Sequence, residues 1–389
     1  MPGGTRSFEM AKRLVEFGNE VNMVTTRRDG HASKQWQVTD EQGIKVHWLS
    51  IPYNNSMNYN ERIKAFLQFA TRSAAYASRL CGDILFATST PLTIALPGVY
   101  ISKKKRIPMV FEVRDLWPEI PIALGAIKGP LVYPAMWLEK FAYRNSKMIV
   151  ALSPGMKEGI MRTGFSPERI HVIPNSADLD MFNVPESQGI GFRNQFRWLG
   201  SRPLIVYTGA FGKINGVDYL VDLAAVFLSK QPEICFLAVG EGSEKEKILS
   251  RAKERGVLEK NFYMLSPIPK KNMPAVLSAA DMTTSLCIDM PQLWANSANK
   301  FFDALASGTP IAINYNGWQA ELIHKSGSGI VLDHYNLEIA SEQLLAILKN
   351  ETKLKAASIA ARQLAKDQFS RDALAKRLEL VLMMATEKE

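Results

Sequence analysis

Two Rossmann-like α/β domains are the fold this sequence predicts, on three observations. Short apolar runs alternate with amphipathic stretches of helical period along nearly the whole chain. A polar, proline-containing stretch, Val172-Ile-Pro174-Asn175-Ser-Ala-Asp178-Leu-Asp180-Met-Phe182, divides that alternation into two series. Several apolar runs end in glycine or polar residues, as parallel strands do where they border a ligand crevice.

In the first series, Phe8–Phe17 has helical spacing, and Glu20–Thr25 and Ile44–Ile51 read as strands. Glu61–Leu80 is a long helix. Ile84–Ala87 is a buried strand ending at Thr88-Ser89-Thr90-Pro91, and a helix follows. Pro108–Val113 is a strand ending at Arg114-Asp115; Pro130–Arg144 is a helix; Met148–Leu152 is a strand opening onto Ser153-Pro154-Gly155. In the second series Leu204–Tyr207 runs into Gly209, Gly216–Ser229 is a helix, and Ile234–Val239 runs into Gly240-Glu241-Gly242. Tyr263–Leu265, Met282–Leu286 and Ile311–Ile313 are further strands, and Asp372–Thr386 is a last helix. The expected domains are 1–177 and 178–368, with a terminal helix over 369–389 placed to return to the first. A sheet of this kind normally opens with a central strand feeding a glycine-rich turn. Here the chain opens at the turn, Met1-Pro2-Gly3-Gly4-Thr5-Arg6. The expectation is a product that starts about one strand length upstream, on the order of 10–20 residues.

The 389 residues suit two domains of ordinary size, and 47% apolar residues suit a folded protein with a full core. No apolar run reaches the roughly 18 residues of a membrane span, and no apolar leader follows Met1. Cys81, Cys235 and Cys287 are far apart and lack metal spacing, which predicts reduced core cysteines in a cytoplasmic protein. The five histidines are scattered, and Asp178-Leu-Asp180 sits in the dividing stretch, so no metal site and no cofactor are expected. The net charge of +9 is uneven: 23 Lys and Arg face 16 Asp and Glu over 1–185, against 24 and 22 over 186–389. No nucleic-acid motif accompanies the basic first half, so anionic lipid or phosphorylated substrates are the expected partners rather than nucleic acid; ordinary solubilising charge is the alternative. Lys103-Lys104-Lys105-Arg106 and the apolar Pro130–Leu138 segment are candidates for a bilayer surface; a solvated loop and packing on the sheet are the plainer readings.

The richest stretch is Asn296-Ser-Ala-Asn299-Lys300-Phe301-Phe302-Asp303-Ala-Leu-Ala-Ser307-Gly308-Thr309-Pro310. Ser297 or Asn299 can cap a helix whose apolar face is Phe301, Phe302 and Leu305, and which Gly308 and Pro310 stop. Asn299, Lys300 and Asp303 share a polar face at its first turn. Free N–H groups beside a lysine suit a phosphate, and a carboxylate one turn on suits a sugar hydroxyl. Gly209-Ala-Phe-Gly212-Lys213-Ile-Asn215-Gly216 joins a strand to a helix, where glycines let backbone approach a phosphate; the structural alternative is a tight turn. Gly240-Glu241-Gly242 also ends a strand, but Lys245 occupies the third glycine position of a dinucleotide fingerprint, which lowers a dehydrogenase reading. Glu112, Arg114 and Asp115 end a first-domain strand and read as crevice residues; the alternative is a local ion pair.

These residues together resemble the retaining glycosyltransferases of family 4, which have the GT-B fold: two Rossmann-like domains facing a cleft. The similarity runs over nearly the whole length. Gly3 to Ser7 resembles the acceptor-side glycine loop, and Pro174 to Phe182 resembles the family's linker. Gly209 to Gly216 resembles its phosphate loop, and Asp303 to Pro310 its carboxylate-helix element. Phe111 to Ala123, with Arg-Asp-Leu-Trp-Pro-Glu, resembles the O-antigen and capsule branch that includes fucosaminyltransferase-type enzymes. Asp303 matches the carboxylate that holds the nucleotide ribose. Ala295 stands where a sugar-binding glutamate is usual, Ala210 and Asn215 stand at the phosphate-binding arginine and lysine positions, and Arg114 replaces a frequent histidine.

The resemblance implies transfer of a sugar, an N-acetylated amino sugar, from a nucleoside diphosphate, UDP, to a polyprenyl-diphosphate-linked glycan. The setting it implies is peripheral, on the inner face of the plasma membrane. Arg114, Asp115 and Lys300 are the implied catalytic residues. Gly209, Gly212, Lys213, Asn215, Gly216, Gly240, Glu241, Asn299, Lys300 and Asp303 would bind donor, and Gly3, Gly4 and Glu112 acceptor, with Lys300 supplying the diphosphate's missing cation. An epimerase or hydrolase of the same fold, or a non-catalytic sugar-nucleotide-binding protein, is the alternative.

Overall fold

The computed structural model describes residues 6–27, 35–53, 57, 59–176 and 178–387. The chain forms two compact units, Met1–Pro174 with Asp372–Glu389, and Asn175–Arg371. Both are parallel α/β folds of Rossmann type.

The first unit carries β1 (Asn22–Arg27), β2 (Trp36–Glu41), β3 (Ile44–Ser50), β4 (Leu85–Thr88), β5 (Met109–Val113), β6 (Met148–Ala151) and β7 (Ile170–Val172). Where one sheet was expected, the described residues form two. One has the order β1-β3-β2, the other β4-β5-β6-β7. All pairs are parallel except β2 with β3. Strand β2 escapes a sequence reading because it is a largely solvated edge, Trp-Gln-Val-Thr-Asp-Glu, without an apolar run. Strand β5 is buried along its length, so its glutamate needs a partner inside the fold. It has two: Arg6 Nε donates to Glu112 Oε1 at 2.8 Å and Thr88 Oγ1 donates to Oε2 at 2.6 Å. Arg6 opens the helix Arg6–Glu16 and also donates to the carbonyls of Ile173 and Pro174, at 2.8 and 2.5 Å. One guanidinium therefore ties the first helix, the middle of a sheet and the end of the unit together.

The helix Arg371–Thr386 carries the chain into this unit. Leu374, Ala375, Leu378, Val381 and Ala385 pack with Met10, Leu14, Val110, Val150 and Ile173. Its rim is polar: Arg13 pairs with Asp372, Asn19 donates to Glu379 at 2.7 Å, and Arg377 donates to the Val172 carbonyl at 2.8 Å.

The second unit is one six-stranded parallel sheet. Its strands are β8 (Leu204–Thr208), β9 (Cys235–Val239), β10 (Phe262–Leu265), β11 (Met282–Ser285), β12 (Ile311–Ile313) and β13 (Gly329–Val331), in the order β10-β9-β8-β11-β12-β13. Its two faces bury separate apolar clusters, one around Phe211, Phe227 and Phe236, the other around Leu204, Val206 and Leu237. The strand order reverses between β8 and β11, so the loops that follow these two strands flank a topological switch point, where such sheets bind ligands. Of the cysteines, Cys235 and Cys287 are buried as expected, but Cys81 is exposed.

Replacing Arg6 by methionine should strand Glu112 as a buried unpaired carboxylate and lower the unfolding free energy by about 3–5 kcal/mol in urea titration. Wild-type stability in Arg6→Met would remove this pair from the account.

Candidate functional site

The helix Asn299–Ser307 forms because Phe301, Phe302 and Leu305 bury one face. It ends at Gly308, whose φ of +71° is left-handed; a Cβ there would come within 2.2 Å of Arg362 Nε. Its start corrects the sequence reading. The N-cap is Ala298, and no side chain caps the helix. Ser297 is engaged elsewhere: its hydroxyl accepts from the Asn175 backbone N–H at 3.0 Å, and its carbonyl accepts from Asn175 Nδ2 at 2.5 Å. The helix therefore keeps first-turn N–H groups for other use.

The three polar residues of that turn also diverge. Asn299 is exposed. Asp303 is buried and ion-paired with Lys270, whose ammonium also lies 5.0 Å from the centre of the Phe182 ring. Burial raises the Asp303 carboxyl above its usual range, and Lys270 opposes that shift. Lys300 turns toward β8. Its ammonium donates to Tyr207 Oη at 2.8 Å and Asn215 Oδ1 at 3.3 Å, and lies 4.2 Å from the Tyr207 ring centre. Burial pushes the Lys300 amine down to about 7.

The turn after β8 is shaped around this lysine. Gly209, at φ +144°, takes a backbone conformation that favours glycine, and a Cβ there would press on Lys300 Cε and Nζ at 3.2 Å. Tyr207 Oη donates to the Ala210 carbonyl at 2.8 Å, which closes the turn beneath the ammonium. Gly212 leads into the short turn Lys213–Asn215, where Lys213 is exposed. Gly216 follows with its Cβ position blocked by the Cys287 backbone at 2.9 Å. The helix Asp218–Lys230 then begins.

The second glycine turn serves the first. Phe211 N–H donates to the Glu241 carbonyl at 2.8 Å, and Glu244 N–H donates back to the Phe211 carbonyl at 2.9 Å. A Cβ on Gly240 would sit 1.9 Å from the Gly209 carbonyl oxygen, and one on Gly242 2.4 Å from that of Phe211. Gly240 and Gly242 are thus explained by backbone-to-backbone packing. The Glu241 side chain points into solvent and pairs with Lys245 at 2.9 Å.

In the first unit, the end of β5 holds Arg114 and Asp115. Ser89 Oγ accepts from the Arg114 N–H, and Thr90 Oγ1 donates to Asp115 Oδ2, each at 3.1 Å. Asp115 is exposed and Arg114 half-buried. Glu112 does not join them: it is 1% exposed and both its oxygens are taken, so the local ion pair replaces the acceptor role expected of it. Gly3 and Gly4 lie outside the described residues. No group of three potential metal ligands occurs among the described residues.

Tyr207 and Lys270 were missed from the sequence. Tyr207 reads as a core aromatic in an apolar strand, and its only signal is its place just before Gly209. Lys270 has no motif around it. The second unit brings together, at the switch point of a parallel sheet, an ammonium that meets no carboxylate among the described residues, glycine-turn backbone and a helix start without a side-chain cap, features that suit an anion.

Residues 3–176 match the model of the Glycosyl transferase 4-like domain, and residues 191–364 match that of Glycosyl transferases group 1. The "Putative colanic acid biosynthesis glycosyl transferase WcaI" of Escherichia coli is 23% identical over 295 residues, 72% of this chain and 71% of that one. A D-inositol 3-phosphate glycosyltransferase of Xylanimonas cellulosilytica is 24% identical over 98% of this chain and 91% of its own. Among solved structures, Anabaena Alr3699/HepE in complex with UDP-glucose aligns with a TM-score of 0.73 at 15% identity, over 99% of this chain and 97% of that one. WaaG, a glycosyltransferase involved in lipopolysaccharide biosynthesis, aligns with a TM-score of 0.71 at 16% identity, over 98% and 97%. With both family domains in order and the GT-B fold beneath them, the chain belongs to the glycosyltransferases.

Proposed function

We propose that this glycosyltransferase moves a sugar, an N-acetylated amino sugar, from UDP to a polyprenyl-diphosphate-linked glycan, with retention, in bacterial surface polysaccharide synthesis of the O-antigen or capsule kind. The observation that carries the reading is the Lys300 ammonium, held at the glycine turn by Tyr207 and Asn215 with no counter-ion among the described residues. A dinegative diphosphate fits that vacancy of charge. The uridine base is suggested by HepE, solved with UDP-glucose, and the pathway by the WcaI relative, named for colanic acid biosynthesis.

In this reading, negative charge builds on the departing diphosphate as the glycosidic bond breaks. Lys300, the Gly209–Gly216 turn and the N–H groups at the start of the Asn299–Ser307 helix stabilise it. Asp303 holds the ribose through the oxygen that Lys270 leaves free. The leaving phosphate takes the proton of the acceptor hydroxyl on the face it departs from, which preserves the configuration. Arg114 and Asp115 orient sugar or acceptor.

A lipid-linked acceptor requires the enzyme to reach a membrane surface, and no helix among the described residues is long and apolar enough to cross one. The helix Val132–Arg144 supplies a different means. Tyr133 and Trp137 are 78% and 59% exposed, Met136 beside them is exposed, and Lys140 and Arg144 continue the stripe. The helix Ala95–Lys105 packs against it and ends in Lys103, Lys104 and Lys105. Aromatic and cationic residues side by side suit the headgroup layer of an anionic inner leaflet.

Three measurements test this. UDP should raise the melting temperature without added metal, and a flat response across a nucleoside-diphosphate panel would contradict the donor site. Lys300→Ala should cut sugar transfer by roughly 10²-fold or more; near-wild-type turnover would remove Lys300 from the mechanism. Flotation with phosphatidylglycerol vesicles should recover the wild-type protein and lose the Tyr133→Ser/Trp137→Ser variant, whereas equal recovery of both would exclude this face.

A further inference from the structure

Several lysines of the second unit sit beside carboxylates: Lys270 beside Asp303, Lys245 beside Glu241, Lys230 beside Glu338. Lys300, among the described residues, does not. From β8 it meets the Tyr207 hydroxyl, from the glycine turn the Asn215 amide, and from the segment after β11 the Cys287 thiol. Burial raises the Tyr207 phenol, and it pushes the Cys287 thiol up to about 12, so both are neutral near pH 7. The nearby charges are spoken for or solvated. Asp303, one turn on, is paired with Lys270; Asp289, beyond Cys287, accepts from the Tyr335 hydroxyl at 2.7 Å; Lys213 is exposed. Arg362, on the helix Glu351–Gln368, meets the far end of the Lys300 helix at the Ser307 carbonyl.

A half-buried ammonium whose partners among the described residues are all neutral is held at a cost, and losing its proton relieves that cost. A diphosphate arriving at the same place reverses the balance. We propose, resting on the donor-site reading above, that binding of the sugar nucleotide is coupled to uptake of one proton at Lys300, with Tyr207 as the positioning residue for the amine. The Tyr207 hydroxyl is oriented for this: its hydrogen goes to the Ala210 carbonyl, which leaves its oxygen free to accept from Lys300.

The direction of the pH effect follows. In the free protein the amine is pushed down to about 7, so it is charged below that and neutral above. In the complex the diphosphate raises it. Affinity is therefore flat below about 7 and falls up to tenfold per pH unit above it, until the raised value of the complex is reached. The coupling is particular to a lysine: an arginine at this place stays charged throughout.

Isothermal calorimetry tests this with two probes, UDP-glucose and UDP-N-acetylglucosamine, whose diphosphates carry no proton that titrates near neutrality. Enthalpies measured at pH 7.5 in buffers of differing ionisation enthalpy give the protons taken up. The wild type should take up roughly three quarters of a proton with the donor that binds. Lys300→Arg should bind that donor with no uptake and with affinity level from pH 6.5 to 8.5. Tyr207→Phe, which removes the acceptor for the ammonium but keeps the ring, should move the midpoint of the affinity profile downward. Wild-type binding without proton uptake overturns the coupling and leaves the donor site standing. Uptake that persists in Lys300→Arg overturns its assignment to Lys300. Failure of the wild type to bind either probe overturns the donor reading and the coupling with it.

Discussion

A positive charge drawn partly out of water without a negative partner is costly, and Lys300, half-buried and with no carboxylate beside it among the described residues, is one. Lys300 reaches back from a helix whose first turn no side chain caps, and its ammonium settles on the face and hydroxyl of Tyr207. A carboxylate beside Lys300 would already neutralise it and leave no charge for an incoming anion. The neighbouring Lys270–Asp303 pair is the contrast: there the charge is satisfied within the fold.

That arrangement depends on backbone reaching where side chains cannot. Gly209 leaves room for the lysine, and Gly240 and Gly242 let the turn after β9 lie directly on the turn after β8. The two turns exchange hydrogen bonds through Phe211, which is itself fully buried and anchors the first turn in the core below. The parallel sheet supplies the rest, because its order reverses between β8 and β11 and so parts the loops at that point. Stability and function meet in the same glycines: a Cβ at position 240 would disturb sheet-end packing before it touched any ligand.

How much of this was legible in the sequence follows from the physics of each element. Buried parallel strands are continuous apolar runs, so β5, β8, β9 and β11 were visible within a residue or two. The edge strand β2 was not, and neither were β7 and β13, which are short and only partly buried, whereas β12, equally short, is a fully buried apolar run and was read. The Asn299–Ser307 helix was legible, yet its cap was not: Ser297 is claimed by Asn175, 122 residues away, and no local rule sees that. Lys300 stood out as a cation at a helix start. Tyr207 did not, because a tyrosine in an apolar strand looks like core until the structure places its hydroxyl. Glu112 had the look of a crevice acid and is instead the buried partner of Arg6.

The central claim is that Lys300 supplies, from the helix, the charge that Ala210 and Asn215 do not supply from the glycine turn. Moving the charge back tests it most directly. Calorimetry of UDP binding should show Lys300→Ala weakened by roughly 10- to 100-fold, the scale of one charge-assisted contact. Adding Ala210→Arg and Asn215→Lys to that variant should restore most of the loss. Binding of UDP to Lys300→Ala as tight as to the wild type would contradict the account.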